Sequence, residues 1–236
     1  MGLLVNDKQI VIPGEDLASG MDFLPSHGTF RDGEHIVAAK LGISSVDNRI
    51  IRIIPLSGKY MPKAGDNIVG RVVDVTINGW RLDINSAYSA MLSVKDATSE
   101  FIARGADLTK YFNFGDYILT GIINVTSQNL VDVSMKGPGL RQLGEGRIIH
   151  VNPYKVPRII GKQGSMVTMV KDATSCRITV GQNGVVWIQG LPEDELVAVD
   201  AIRKIEQESH IPGLTERMKE YLDRRKRKVD SNENKA

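Results

Sequence analysis

Strand-like runs, several alternating apolar and polar residues with a period of two, recur in segments through the first 140 positions of the chain, and amphipathic helical stripes follow them. Ile10-Val11-Ile12 is a short apolar run closed by Pro13-Gly14. Glu34 to Gly42 and Arg49 to Leu56 read as the two arms of a hairpin, so residues 1–60 form a small N-terminal β domain. Asn67 to Val75 alternates again, Asn78-Gly79 turns the chain into Trp80 to Ile84, and a third strand covers Tyr88 to Val94. A helical link near Ala106 to Tyr111 precedes two more strands, Tyr117 to Val125 and Leu130 to Ser134, which completes a second block at 63–140. The third block, 146–210, opens with a strand near Arg147 to Val151. A glycine loop follows, then a helix with Met166, Val167, Met169 and Val170 on one side. Strands Arg177 to Val180 and Val185 to Gln189 are joined through Gly181 to Gly184, with Asn183-Gly184 suited to a tight hairpin turn. Pro192 then opens a helix striped by Leu196, Val199, Ala201, Ile202 and Ile205. Residues 211–236 read as a helix with Leu214, Met218, Tyr221 and Leu222 that ends in a basic tail. The expected fold is multidomain, β in its first two blocks and α+β in the third.

The loop Ile159-Ile160-Gly161-Lys162-Gln163-Gly164-Ser165-Met166 carries the most specific chemistry. Glycine has no Cβ, so Gly161 and Gly164 can bring bare backbone against a phosphodiester. The amides of a helix starting near Ser165 face the anion, and Lys162 adds a mobile positive charge. A GXXG by itself also fits an ordinary glycine-capped turn. The order strand, helix, GXXG, helix, strand, strand, helix resembles a type I KH domain, which clamps about four nucleotides of backbone in that loop. The five strands of the second block suit an OB-type barrel. They resemble the RNA-binding domain of ribosomal protein S1 in the Gly-Asp before strands one and four and in Val133-Ser134-Met135-Lys136. That family often has an aromatic after the turn and a histidine late in strand three, forming a base-stacking platform. Here Trp80 and Arg81 follow the turn and Ser93 stands where the histidine is sought, so Trp80 is either a stacking ring or a packed one.

Leu24-Pro25-Ser26-His27-Gly28-Thr29-Phe30 is a Gly/Pro-studded loop in the first block. Together with Met135-Lys136-Gly137-Pro138-Gly139, Val156-Pro157-Arg158-Ile159-Ile160-Gly161 and Gly181-Gln182-Asn183-Gly184-Val185-Val186-Trp187-Ile188, it extends the likeness over nearly the whole chain. The chain resembles the RNA-binding cap subunits of the archaeal exosome, the family called ribosomal RNA-processing protein four. The resemblance implies a non-catalytic subunit that binds single-stranded RNA. Three copies would sit on a hexameric ring of RNase-PH-like proteins and guide the RNA 3′ end into its pore. It implies RNA contacts at Arg158, Ile160, Gly161, Lys162, Gln163 and Gly164 in the KH module, and at Trp80, Arg81, Lys136 and Arg141 in and beside the barrel. Ring docking is implied at Pro25, Gly28 and Phe30.

Composition narrows the alternatives. The 236 residues and 42% hydrophobic content allow two or three small cores, and the net charge of +2 means that any electrostatic footprint for RNA is local. Arg224-Arg225-Lys226-Arg227-Lys228 is the obvious concentration, and a terminal basic run of this kind is either a solvated tail or an RNA contact. Cys176 is the lone cysteine, which excludes an internal disulfide, suits a reducing compartment and fits buried packing where a strand begins. The histidines at 27, 35, 150 and 210 lack metal-ligand spacing, and no nucleophile-and-base pair follows from the pattern. No cofactor, metal or catalytic residue is expected. Neither a signal peptide nor a membrane-length apolar run is present, so a soluble cytoplasmic protein is expected. A free-standing S1/KH regulator of transcription or translation is the competing reading, although elongation factors of that kind usually carry two KH units.

Overall fold

The computed structural model describes the backbone of residues 2–100, 102–103, 105–209, 211 and 213–233, and the side chains among these as far as Arg224. His210 and the side chains of Arg225, Lys226, Arg227 and Lys228 lie outside the described residues. Residues up to Gly58 pack as one compact unit and residues from Lys59 onward as a second.

Among its described residues, the first unit has eight short strands: β1 (Gly2–Leu3), β2 (Ile10–Val11), β3 (Asp16–Ser19), β4 (Leu24–Pro25), β5 (Thr29–Asp32), β6 (His35–Ala38), β7 (Gly42–Asp47) and β8 (Ile50–Pro55). They form two sheets, ordered β1-β3-β6-β5 and β2-β7-β8-β4, around a core that includes Val11, Leu17, Ile36, Ile51 and Ile53. The expected pairing of 34–42 with 49–56 is corrected here: β8 pairs with β7, and β6 belongs to the other sheet between β3 and β5. The tight connection uses Asn48, whose φ of 53° is the left-handed conformation that asparagine tolerates. Ser44 in β7 is fully buried because its hydroxyl donates to the Asn6 carbonyl (2.7 Å) and accepts from the Gln9 N–H (3.1 Å).

The second unit begins with the barrel: β9 (Asn67–Thr76), β10 (Gly79–Asp83), β11 (Ser89–Ser93), a short helix α1 (Val94–Ala97), β12 (Tyr117–Val125) and β13 (Val131–Ser134). The sheet runs β13-β11-β10-β9-β12 and closes through β12 against β13, the parallel pair being β11 with β13. Closure removes the free edges of the five strands, and Ile68, Val72, Leu82, Leu92 and Ile118 fill the interior with no exposure above 1%. A sixth strand, β14 (Arg141–Leu143), adds to β12 beyond the expected five.

The KH module continues with β15 (Arg147–His150), α2 (Val156–Ile160), α3 (Ser165–Thr174), β16 (Arg177–Val180), β17 (Val185–Gln189), α4 (Pro192–Glu208) and α5 (Leu214–Glu233). Its antiparallel sheet is ordered β15-β17-β16. Val170, Ile188, Ala198, Ile202, Ile205 and, from α5, Met218 and Leu222 make one core, which carries the C-terminal helix into the same packing. Leu196 does not join the expected stripe of α4: it is 54% exposed, and Ala198 takes the inward position. Cys176 is buried in this core, and burial pushes its thiol pKa up, away from the reactive thiolate. No helix among the described residues is long and apolar enough to cross a membrane.

Candidate nucleic-acid interface

Gly161 ends α2 with φ 76° and ψ 176°, a backbone state that L side chains rarely adopt. A Cβ at Gly161 would lie 2.7 Å from both the Cβ and the amide nitrogen of Met166, so this glycine lets α2 and α3 approach each other. Gly164 (φ 81°) differs, because nothing lies within 4 Å of the Cβ it lacks. Its bare backbone opens onto solvent at the start of α3, where the Gly164 N–H donates to the Gly161 carbonyl (3.2 Å) and the Ser165 N–H to the Lys162 carbonyl. Lys162, Gln163 and Arg158 are exposed, and neither Lys162 nor Arg158 forms an ion pair among the described residues. Ile160 is half-buried and packs against the KH core. The loop therefore brings together an open backbone approach at Gly164 and two cations outside any ion pair among the described residues, which suits a phosphate backbone.

On the barrel the expected stacking ring is corrected. Trp80 is 0% exposed, stands edge-on to Phe112 with ring centroids 5.2 Å apart, and donates its indole N–H to the Phe112 carbonyl at 2.9 Å. It fills the barrel and cannot stack a base. Arg81 points outward, opposite Met91 in the register, and is ion-paired with Asp74. Ser93 donates its hydroxyl to Asp96 (2.7 Å). Lys136 and Arg141 are both exposed, Arg141 on β14 and Lys136 in the loop before it.

The loop between β16 and β17 does more than turn the chain. Asn183 has negative φ, so no two-residue left-handed turn forms; Gly184 alone is left-handed (φ 79°), and Gly181 donates to the Val185 carbonyl (2.8 Å). Asn183 is fully buried against the barrel. Its amide donates to the carbonyls of Val69 (2.8 Å) and Ile84 (2.9 Å), and its oxygen accepts from the Val69 N–H (3.3 Å). Gln182 adds a reciprocal pair with Asn67: its N–H donates to the Asn67 carbonyl (2.9 Å) and its side-chain oxygen accepts from the Asn67 N–H (2.6 Å). The β9–β10 ladder starts only at Arg71, so the KH loop covers the stretch of β9 that β10 leaves open. Barrel and KH module are thereby joined into a single unit. A buried, bridging asparagine and a solvated turn asparagine look alike in sequence, so this role was not legible there.

In the first unit, Pro25 pairs with Ile51 in parallel, Gly28 is left-handed (φ 79°) against Ile53, and Phe30 is 48% exposed on β5. His27 is exposed, and its carbonyl accepts the Ile53 N–H (2.8 Å). Sequence reading missed a larger feature. Ile10, Ile43 and Ile54 stand in register across β2, β7 and β8 on the face away from the core, with Leu24 and Ile50 paired at the other edge of the sheet. Ile10 and Ile54 are 64% and 54% exposed and flank Ile43, an apolar row of the kind that marks protein contacts, while Leu24, 57% exposed, lies beyond Arg52 on the same sheet. Among the described residues no three His, Cys, Asp or Glu side chains come together to hold a metal ion.

Two family models match the chain: "RRP4, S1 domain" over residues 59–104 and "KH domain" over residues 146–209. The exosome complex component Rrp4 of Methanothermobacter thermautotrophicus is 42% identical over 222 residues, covering 94% of this chain and 70% of the relative. The protein of the same name from Thermococcus kodakarensis is 41% identical over 231 residues, covering 96% and 90%. A crystal structure described as a proposed exosome complex RNA-binding protein superposes with a TM-score of 0.65 at 32% identity, covering 73% of this chain and 99% of its own.

Proposed function

Because the chain belongs to the Rrp4 family of exosome components, we propose that it is the RNA-binding cap subunit of that complex. It holds single-stranded RNA and guides the 3′ end into the pore of a hexameric ring of RNase-PH-like subunits, where degradation or processing proceeds 3′ to 5′. The chain is non-catalytic in this reading, is cytoplasmic, and is present in three copies on the ring. The observation that carries the reading is the exposed GXXG loop, with unpaired Lys162 and Arg158, built into the same unit as an S1-type barrel. Linked modules make the second RNA contact intramolecular, which can raise affinity by about 10² to 10⁴ over either alone. Backbone amides and a mobile ammonium recognise phosphate rather than base, so the grip tolerates many sequences, as a subunit that feeds RNA into a pore requires. The apolar face made by Ile10, Ile43 and Ile54 supports docking of the first unit on protein. Pro25, Gly28 and Phe30 belong to the same proposed docking region.

The test uses the full chain, labelled single-stranded RNA, phosphate and Mg²⁺, with and without the ring subunits. The chain alone leaves the RNA intact and speeds shortening when the ring is added. Changing Lys162 and Gln163 together to Asp abolishes that gain while the complex still co-purifies. Gln163 has φ 53°, which Asp tolerates, so the double variant keeps its fold. Shortening of RNA by the lone chain refutes the non-catalytic assignment, and undiminished RNA binding by the double variant refutes the role of the loop.

A further inference from the structure

We propose that the cleft between the barrel and the KH module is a second RNA site. It would take one nucleotide of the single strand, with the phosphate on Arg71 and Lys59 and the base against Tyr117. The proposal rests on the RNA-binding reading above and adds a place of contact apart from the GXXG loop and the outer barrel face. The cleft has a volume of about 380 Å³ and is lined by Lys59, Arg71, Asp83, Asn85, Tyr117 and His150. That volume lies within the roughly 300–1,000 Å³ of small-ligand sites and suits a single nucleotide.

The register explains why these groups converge. Asp83 on β10 and Tyr117 on β12 both sit directly opposite Arg71 on β9, so three adjacent strands present cation, carboxylate and aromatic ring in one row. Asp83 and Arg71 form no ion pair among the described residues, and one carboxylate oxygen of Asp83 accepts the Asn85 N–H (2.9 Å). Arg71, Lys59 and His150 form no ion pair among the described residues. Arg71 and Lys59 outweigh the single carboxylate of Asp83 in the lining, and a concavity with a positive excess focuses the field and attracts an anion. Tyr117 is half-buried, its ring supported by Val69, Leu143, Val185 and Trp187, which gives a fixed surface for stacking. Asp83 and the Asn85 side-chain oxygen supply acceptors at the rim for base amino groups. The cleft is preformed because the Asn183 and Gln182 bonds hold its two walls together, and Asn85 ties its own amide to the Asn183 carbonyl (3.1 Å).

The experiment titrates the full chain with a fluorescein-labelled single-stranded oligoribonucleotide across a salt series. It compares the parent with Arg71→Ala, Lys59→Ala and the Lys162/Gln163 double Asp variant. Both alanine changes remove exposed, unpaired side chains, so their unfolding midpoints stay at the parent value. Arg71→Ala weakens binding roughly tenfold at low salt. Each alanine variant lowers the slope of log affinity against log salt by about 0.7, the share of one single-strand phosphate contact. Oligonucleotides carrying 4-thiouridine cross-link to the peptide that contains Tyr117. Affinity and slope unchanged in both alanine variants, with binding still lost in the double Asp variant, overturn the cleft but leave the loop reading intact. No binding by the parent chain overturns both.

Discussion

Asn183 is the single side chain on which the union of barrel and KH module turns, and truncating it to alanine tests that directly. The change removes two donated bonds of 2.8 and 2.9 Å and one longer accepted bond of 3.3 Å, all in a fully buried position. Each neutral bond contributes about 1 kcal/mol net, and a buried group left without a partner costs about 1–3 kcal/mol. Two carbonyls and one N–H are stranded, and water entering the vacated space recovers part of that loss. The expected cost of Asn183→Ala is therefore about 2–4 kcal/mol, at the upper end of ordinary single substitutions. Asn183→Asp is worse at neutral pH, because the two donors become a carboxylate oxygen aimed at the carbonyls of Val69 and Ile84. Burial and those carbonyls raise the pKa of the new acid above its unfolded value. The charge-dependent part of its destabilisation is absent where both states are protonated and grows as pH rises from the unfolded to the folded pKa, on top of the donor that even the neutral acid lacks. Urea unfolding followed by tryptophan fluorescence reads both effects, since Trp80 reports the barrel and Trp187 the KH sheet. In Asn183→Ala the two modules uncouple, proteolysis begins in the segment Gly144 to Gly146, and RNA affinity falls because the modules no longer share one rigid frame. A loss below about 1 kcal/mol with unchanged protease resistance refutes the idea that this amide welds the modules together.

The two loop glycines should separate cleanly. Gly161→Ala forces a Cβ to 2.7 Å from Met166 at φ 76°, so it lowers the unfolding midpoint and RNA binding together. Gly164→Ala meets no atom within 4 Å and costs only the strain of its φ of 81°, about 1 kcal/mol, while placing a methyl where the phosphate backbone approaches. Its RNA affinity falls with stability largely retained; equal losses of stability in both variants contradict this division. Trp80→Ala costs about 3–5 kcal/mol as a core truncation. Any effect of Trp80→Ala on RNA binding should track the folded fraction measured by circular dichroism, and lost binding in a fully folded protein restores the stacking role.

What the chain discloses in sequence depends on how local the cause is. The KH order was legible because its glycines, its Pro-opened helix and its alternating strands act within a few residues of one another. Trp80 was legible in principle: Trp80, Leu82 and Ile84 share one parity and Arg81 and Asp83 the other, and all three of the former are fully buried. Position after the turn suggested a stacking ring, but parity, which assigns the face, puts the indole in the core. The β7 strand was hidden for a different reason. Its buried positions are a glycine and a serine, Gly42 and Ser44, and the serine hydroxyl is inward because the carbonyl of Asn6 and the N–H of Gln9, more than thirty residues earlier, receive it. Hydrophobic periodicity has no means of registering a buried polar residue whose partners are distant. The cleft carries this furthest, since Lys59, Arg71, Tyr117 and His150 converge only after the barrel closes and the 181–184 loop seats on β9. Motif reading finds sites made by one segment, such as the GXXG loop. A site made by joining two modules becomes visible only with the bonds that join them, and here those bonds pass through Asn183.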